Sequence, residues 1–197
     1  MNDRVVAQQL PAVLEAIGRD SRAIGFTMAS EPQTGSIIRT LAASKPGGRF
    51  LELGTGTGIG TAWLLDGMDS SSRLDSVDND PDAVAVARRH LGGDRRATWH
   101  LTDGSEFLAR LPPSQFDFIF ADAWPGKFTG LDLALSKLRP GGIYVIDDLL
   151  PQPNCPDDHA PKVAALIARL ETRDGFLATK LAWASGLMIL VRVGSDS

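Results

Sequence analysis

The sequence predicts an α/β fold, a Rossmann-like three-layer sandwich whose seven-stranded, mostly parallel sheet closes with an antiparallel C-terminal hairpin. Three observations carry this expectation. Five strand-like runs alternate with helical segments between positions 49 and 147, the pattern of a parallel sheet covered on both faces. The first run enters a turn with glycines at Gly54, Gly56 and Gly58, where a missing Cβ lets the backbone approach a ligand closely. Two later runs, Phe176–Trp183 and Leu187–Val193, are joined only by Ala184-Ser185-Gly186. A link that short permits only an antiparallel pair.

Taken in order, residues 3–19 place Val5, Val6, Leu10, Val13, Leu14 and Ile17 at helical spacing, with Pro11 marking a kink or boundary. A second helix is expected from about Pro32 to Ser44, started by Glu31 and Pro32. Lys45-Pro-Gly-Gly48 then breaks the chain. The strand-like runs are Arg49–Leu53, Arg73–Asp78, Ala97–Leu101, Phe116–Ala121 and Gly142–Asp147. Helical segments fall near 58–67, 81–91, 103–111 and 129–138, and a last helix near 160–173 leads into the hairpin. Pro81 after Asp80 suits a first helical turn, and Thr102-Asp103 offers a cap for the next helix. Residues 1–45 read as a helical extension covering the site and 46–197 as the α/β domain, together one structural unit.

The 197 residues fit one domain, and 43% hydrophobic with 22% charged residues is ordinary globular usage. No apolar run approaches the length that spans a bilayer, and the start of the chain lacks the pattern of a secretory signal. A single cysteine, Cys155, excludes an internal disulfide framework and is compatible with a reducing cytoplasm, the expected location. The net charge of −4 with scattered basic residues argues against a nucleic-acid footprint. A small-molecule partner is the expectation, with no nucleic acid and no membrane.

The glycine spacing selects among ligands. The dinucleotide fingerprint needs glycine or alanine three places after its second glycine; here those places hold Ile59 or Thr61, and no Gly-Lys pair completes a phosphate loop. What remains, Glu52-Leu-Gly-Thr-Gly-Thr-Gly58, suits a nucleoside without a pyrophosphate.

Ligands of open parallel sheets lie outside the carboxyl ends of the strands, and those ends carry Glu52, Asp78, Asp103, Asp122 and the pair Asp147-Asp148. Asp78, about twenty residues beyond the turn, is placed to accept both ribose hydroxyls. Asp103 suits an adenine amino group or the cap of the helix it precedes, and the two are compatible. Asp122, Asp147 and Asp148 repel one another unless a cation binds or one stays protonated. An all-oxygen set suits Mg²⁺, Ca²⁺ or Mn²⁺; alternatively Asp148 caps a turn and Asp147 orders the loop beneath it.

Together these stretches resemble the class I S-adenosylmethionine-dependent methyltransferases, and more narrowly the catechol O-methyltransferase-like small-molecule enzymes, bacterial members included. The resemblance spans about residues 28–193 and rests on Phe50-Leu-Glu-Leu-Gly-Thr-Gly-Thr-Gly58, Ser76-Val-Asp-Asn-Asp-Pro81, Phe116-Asp-Phe-Ile-Phe-Ala-Asp122-Ala and Leu138-Arg-Pro-Gly-Gly-Ile-Tyr-Val-Ile-Asp-Asp148. Met28 and Glu31-Pro-Gln-Thr-Gly35 resemble the segment those enzymes place over cofactor and metal. The resemblance implies that Glu52, Gly54, Thr55, Gly56 and Gly58 hold the cofactor's amino-acid portion. It assigns Asp78 to the ribose, counts Asn79 among the cofactor contacts, and places Asp103, Gly104 and Ser105 at the border of the adenine. Asp122, also counted among the cofactor contacts, joins Asp147 and Asp148 as the three metal ligands, and Trp124 flanks the sulfonium or the substrate.

There are departures. Asp148 stands where the family usually has asparagine, adding a charge, and Pro125 stands where a lysine is common. Lys127 reaches the same place by a looped route, or is an exposed loop lysine. Asp148-Leu-Leu-Pro-Gln-Pro-Asn-Cys155 replaces the usual continuation, and His159 in that region is a base or merely solvated. The activity implied is transfer of the S-adenosylmethionine methyl to an oxygen of a small molecule, with Mg²⁺ or another divalent cation, and with Asp122 and Lys127 catalytic. Bacterial members are often homodimers, and the apolar 3–17 segment offers an interface. A metal-independent methyltransferase and a non-catalytic S-adenosylmethionine-binding protein stay open as alternatives.

Overall fold

A computed structural model describes residues 10–151 and 158–194. Its elements run α1 (Leu14–Ala23), α2 (Pro32–Ala43), β1 (Arg49–Leu53), α3 (Ile59–Gly67), β2 (Arg73–Asp78), α4 (Pro81–Leu91) and β3 (Ala97–Leu101). Then follow α5 (Gly104–Arg110), β4 (Phe116–Ala121), α6 (Leu131–Ser136), β5 (Leu138–Ile146), α7 (His159–Glu171), β6 (Phe176–Leu181) and β7 (Leu187–Arg192).

One sheet of seven strands has the order β3-β2-β1-β4-β5-β7-β6. β1 pairs in parallel with both β2 and β4, β2 with β3, and β4 with β5, whereas β7 runs antiparallel to both β5 and β6. Only β7 is therefore reversed, as the short link after β6 requires. The strand order turns back on itself between β1 and β4, the place where such sheets open a crevice at their carboxyl ends.

Alternation along each strand divides the core into two layers. Leu51, Leu53, Ile119, Ala121, Tyr144 and Ile146 face Phe107 and Leu108 of α5, Leu131 and Leu135 of α6, and Val163, Leu166 and Leu170 of α7. Phe50, Phe118, Phe120, Ile143 and Val145 face Ile17 of α1, Ile38 of α2, Trp63 to Leu65 of α3 and Val86 of α4. The three-layer sandwich is thus present, with helices on both faces.

Several boundaries differ from expectation. β5 begins at Leu138 rather than Gly142, because Leu138 pairs with Phe116 across a register shift that carries Pro140, Gly141 and Gly142 within the strand. The preceding helix accordingly stops at Ser136. α1 starts at Leu14, three residues past Pro11, and continues to Ala23, beyond the expected end. Residues 3–9, including Val5 and Val6, and Cys155 lie outside the described residues. No described helix is long and apolar enough to cross a membrane.

Candidate active site

β1 leaves the sheet through a turn whose first residue, Gly54, leaves no room for a side chain. Gly54 has φ of +102°, and a Cβ there would lie 2.6 Å from the Asp122 carbonyl oxygen. The amides of Gly54 and Thr55 both donate to the Val77 carbonyl (2.9 and 3.2 Å). The Gly56 amide donates to Asp78 Oδ2 at 2.7 Å, and the Asp80 amide to Oδ1 at 2.9 Å. Asp78 therefore pins the turn to the end of β2, while each carboxylate oxygen keeps a further lone pair for a ligand. From above, Phe26 packs against Gly56, and the Ser21 hydroxyl donates to Thr57 Oγ1 at 2.8 Å.

Around this turn lies a cleft of about 680 Å³, a size typical of small-ligand sites. Of the residues singled out in the sequence, Gly54, Thr55, Gly56, Asp78, Asn79, Asp103, Gly104, Asp122, Trp124, Lys127, Asp148 and His159 line it. The segment Phe26–Glu31 forms the facing wall. Asp103 also caps α5, its Oδ1 accepting from the amides of Ser105 and Glu106 at 2.8 and 3.1 Å.

Four expected contacts are not on the cleft wall. Ser105 is the first-turn residue whose amide Asp103 caps. Gly58 faces α4, where a Cβ would meet Ala87 at 2.9 Å. Asp147 stands one layer back among the acids. Glu52 is fully buried beneath the turn, its Oε2 accepting from Thr61 and Ser76 at 2.5 Å each, while Oε1 has no hydrogen-bond partner among the described residues. Burial pushes the Glu52 carboxyl up to about 8. A neutral group in that position braces the turn from within.

Asp122, Asp147 and Asp148 each offer a carboxylate oxygen, and these oxygens lie within 4.8 Å of one another. β4 and β5 are neighbours, so their carboxyl ends deliver the acids to one point. Burial raises the Asp122 carboxyl well above the usual range, and the negative charge of Asp147 adds to this. Asp147 is raised as well, by burial first and then by Asp148. Asp147 Oδ1 accepts from Ser185, from the Asp148 amide at 2.9 Å and from Thr34 at 3.5 Å, which leaves Oδ2 for a ligand. Ser30 donates to Asp122 Oδ2 at 2.8 Å. Asp148 has φ of +59°, a left-handed conformation that Asp and Asn adopt more readily than other side chains. An all-oxygen trio of this kind could hold a hard divalent cation.

Lys127 is not an exposed loop lysine. Its amide donates to the Trp124 carbonyl, within a tight loop after β4, and its Nζ is buried, donating to the Asp147 carbonyl at 2.9 Å and lying 3.7 Å from Asp148 Oδ2. The loop can double back because Gly126 has φ of +86°, a Cβ there would meet Leu53 at 2.5 Å, and Tyr144 donates to the Gly126 carbonyl at 2.7 Å. Beside Lys127 stands an aromatic wall: Phe128 meets Trp124 edge-on at 5.5 Å and His159 at 5.7 Å. His159 is 6% exposed, so it is not a solvated loop histidine.

Sequence reading missed Ser30, Thr34, Ser185, Phe26 and Phe128. Only Thr34 carried a signal, through its place in Glu31-Pro-Gln-Thr-Gly35; the others are common residue types that meet the site by tertiary folding.

The chain's likeness to known proteins agrees with this geometry. Residues 51–149 match the profile of a family described as a methyltransferase domain. A Mycobacterium marinum protein provisionally named an O-methyltransferase is 31% identical over 120 residues, 58% of this chain and 54% of that protein. The match thus spans about half the length of such curated relatives. Among solved structures, the O-methyltransferase TomG of Streptomyces achromogenes, in complex with S-adenosylmethionine, superimposes with a TM-score of 0.82 at 22% identity, covering 96% of this chain and 93% of that one. The O-methyltransferase of Bacillus cereus, in complex with S-adenosylhomocysteine, does so with a TM-score of 0.80 at 20% identity, covering 96% and 94%. With the family profile matched over half of its length, this chain belongs to the methyltransferase domain family.

Proposed function

We propose that this chain transfers the methyl group of S-adenosylmethionine to an oxygen of a small-molecule acceptor, with a divalent cation held by Asp122, Asp147 and Asp148. The observation that carries the reading is the juxtaposition, in one cleft, of the pinned glycine turn with Asp122, Asp148 and Lys127, with the Asp147 carboxylate within 4.8 Å of the other two acids. The relatives' names and the bound cofactors of the solved structures support it.

In this reading Asp78 and Asn79 bind the ribose, Asp103 and Gly104 border the adenine, and the turn admits the amino-acid portion close to the backbone. S-Adenosylmethionine supplies a methyl already activated on a sulfonium, so the protein's task is alignment. A bound cation would supply Lewis acidity favouring the deprotonated form of the acceptor hydroxyl, whose proton would pass to solvent. Lys127, fixed by the Asp147 carbonyl and Asp148, adds a positive charge beside the developing oxyanion. Ser30 and Thr34 tie the N-terminal segment to Asp122 and Asp147, and residues 10–45 act as the cover of the site. Phe26–Glu31 exclude water from one side.

One observation favours a second reading. Lys127 already neutralises part of the acidic trio, so a metal-independent methyl transfer with Lys127 as the sole cation is chemically coherent. Radiolabelled S-adenosylmethionine with a simple ortho-diol, assayed with chelator and with Mg²⁺, separates them. Methyl transfer abolished by chelator and restored by Mg²⁺ supports the first reading; transfer untouched by chelator supports the second. No transfer and no S-adenosylhomocysteine binding defeats both.

A further inference from the structure

His159 begins α7, is 6% exposed, and nevertheless contributes to the cleft wall. Its ring meets Phe128 edge-on at 88° and makes no hydrogen bond to any described residue. Its ring nitrogens are not among the fully buried polar atoms left without a partner, so they open onto the cleft that His159 lines, where an entering ligand can meet them. Phe128 also carries Lys127 Nζ, 5.8 Å from its ring centre. His159 and Lys127 thus pack against one aromatic side chain, and both line the same cleft as Asp122 and Asp148. Trp124, 46% exposed and covered by Lys162 Nζ at 4.0 Å from its ring centre, extends the aromatic wall outward. Flat surfaces of this kind favour an aromatic acceptor.

We infer that His159 is a specificity-determining residue: its imidazole hydrogen-bonds an oxygen substituent of an aromatic acceptor, distinct from the hydroxyl that receives the methyl. A histidine ring carries at least one N–H donor in either protonation state, so an oxygen acceptor on the ligand is recognised in both. The inference rests on the methyl-transfer reading, and goes beyond it by naming what else the acceptor must carry.

The test compares two diols of similar size, 3,4-dihydroxybenzaldehyde with its carbonyl oxygen and 4-methylcatechol with a methyl in its place. The readout is the ratio of their kcat/KM values, measured in the wild type and in His159→Phe. Intrinsic reactivity of the diols cancels between the two ratios, as does any loss common to both substrates. The ratio should fall about tenfold in His159→Phe, as expected for one lost hydrogen bond, with the change carried by KM. His159→Gln, which keeps an N–H donor, should restore part of it. Equal thermal stabilisation of each variant by S-adenosylhomocysteine checks that the site is folded, and His159→Leu serves the same comparison if the Phe variant does not fold. An unchanged ratio in the folded apolar variant overturns the assignment of His159 while leaving methyl transfer intact. Absence of turnover on both diols by the wild type overturns the activity reading, and this inference with it.

Discussion

The hydroxyl of Ser185, in the loop between β6 and β7, donates to Oδ1 of Asp147 at the end of β5, joining positions 38 residues apart. Groups that hydrogen-bond a metal-binding carboxylate commonly tune affinity by 10–100-fold. Ser185→Ala should therefore weaken Mn²⁺ binding by about tenfold, read by electron paramagnetic resonance of free Mn²⁺. Affinity for S-adenosylhomocysteine should hold, because the glycine turn is untouched. Identical Mn²⁺ titrations for both proteins would show that Asp147 needs no such orientation.

Gly54→Ala tests the turn itself. The new Cβ would meet the Asp122 carbonyl at 2.6 Å in a residue with φ of +102°, and backbone cannot yield as a side-chain tip can. A loss of about 2 kcal/mol or more is expected, measured by urea unfolding. Cofactor affinity should fall in calorimetry even where the protein remains folded.

Glu52 makes stability depend on pH. Its carboxyl titrates near 4.5 in the unfolded chain and about 8 in the folded one, so between those values the folded state holds a proton that the unfolded state has lost. Stability from this group is complete below pH 4.5 and declines as pH rises toward 8. Glu52→Gln cannot ionise and should lose that decline. Urea unfolding at pH 5 and pH 8 should show wild type weakening relative to the variant at the higher pH; a constant difference would mean that Glu52 folds as an anion.

Lys127→Met removes the buried ammonium beside Asp148. A fall of about 100-fold in kcat is expected from loss of a positioned charge, with little change in S-adenosylhomocysteine affinity. If kcat holds and only KM rises, Lys127 binds the acceptor without assisting the transfer.

The readable parts of this molecule are those where local chemistry dictates residue type. Gly54 must be glycine because of its φ and its neighbour, Asp80 and Asp103 satisfy the first amides of α4 and α5, and alternation separates the two faces of each strand. Asp78, Asp122, Asp147 and Asp148 were legible because strand ends are where ligands meet parallel sheets. Ser30 and Ser185 were not, since a serine in a loop has the same local signature whether it faces solvent or a carboxylate. Arg139, Pro140 and Gly141 fall between the expected helix and the expected strand, yet pairing with β4 starts the strand at Leu138. Glu52 was assigned to the ligand because its spacing from the glycines is visible, whereas its burial beneath them depends on Thr61 and Ser76.

The three aspartates all fall within the region that matches the family profile, but Ser30, Thr34 and Ser185, which hold two of them, fall outside it. The two ends of the chain thus act as clasps on the acidic cluster. Related chains can keep the same acids and still differ in how tightly those acids are gripped, through changes at positions that a motif search would pass over.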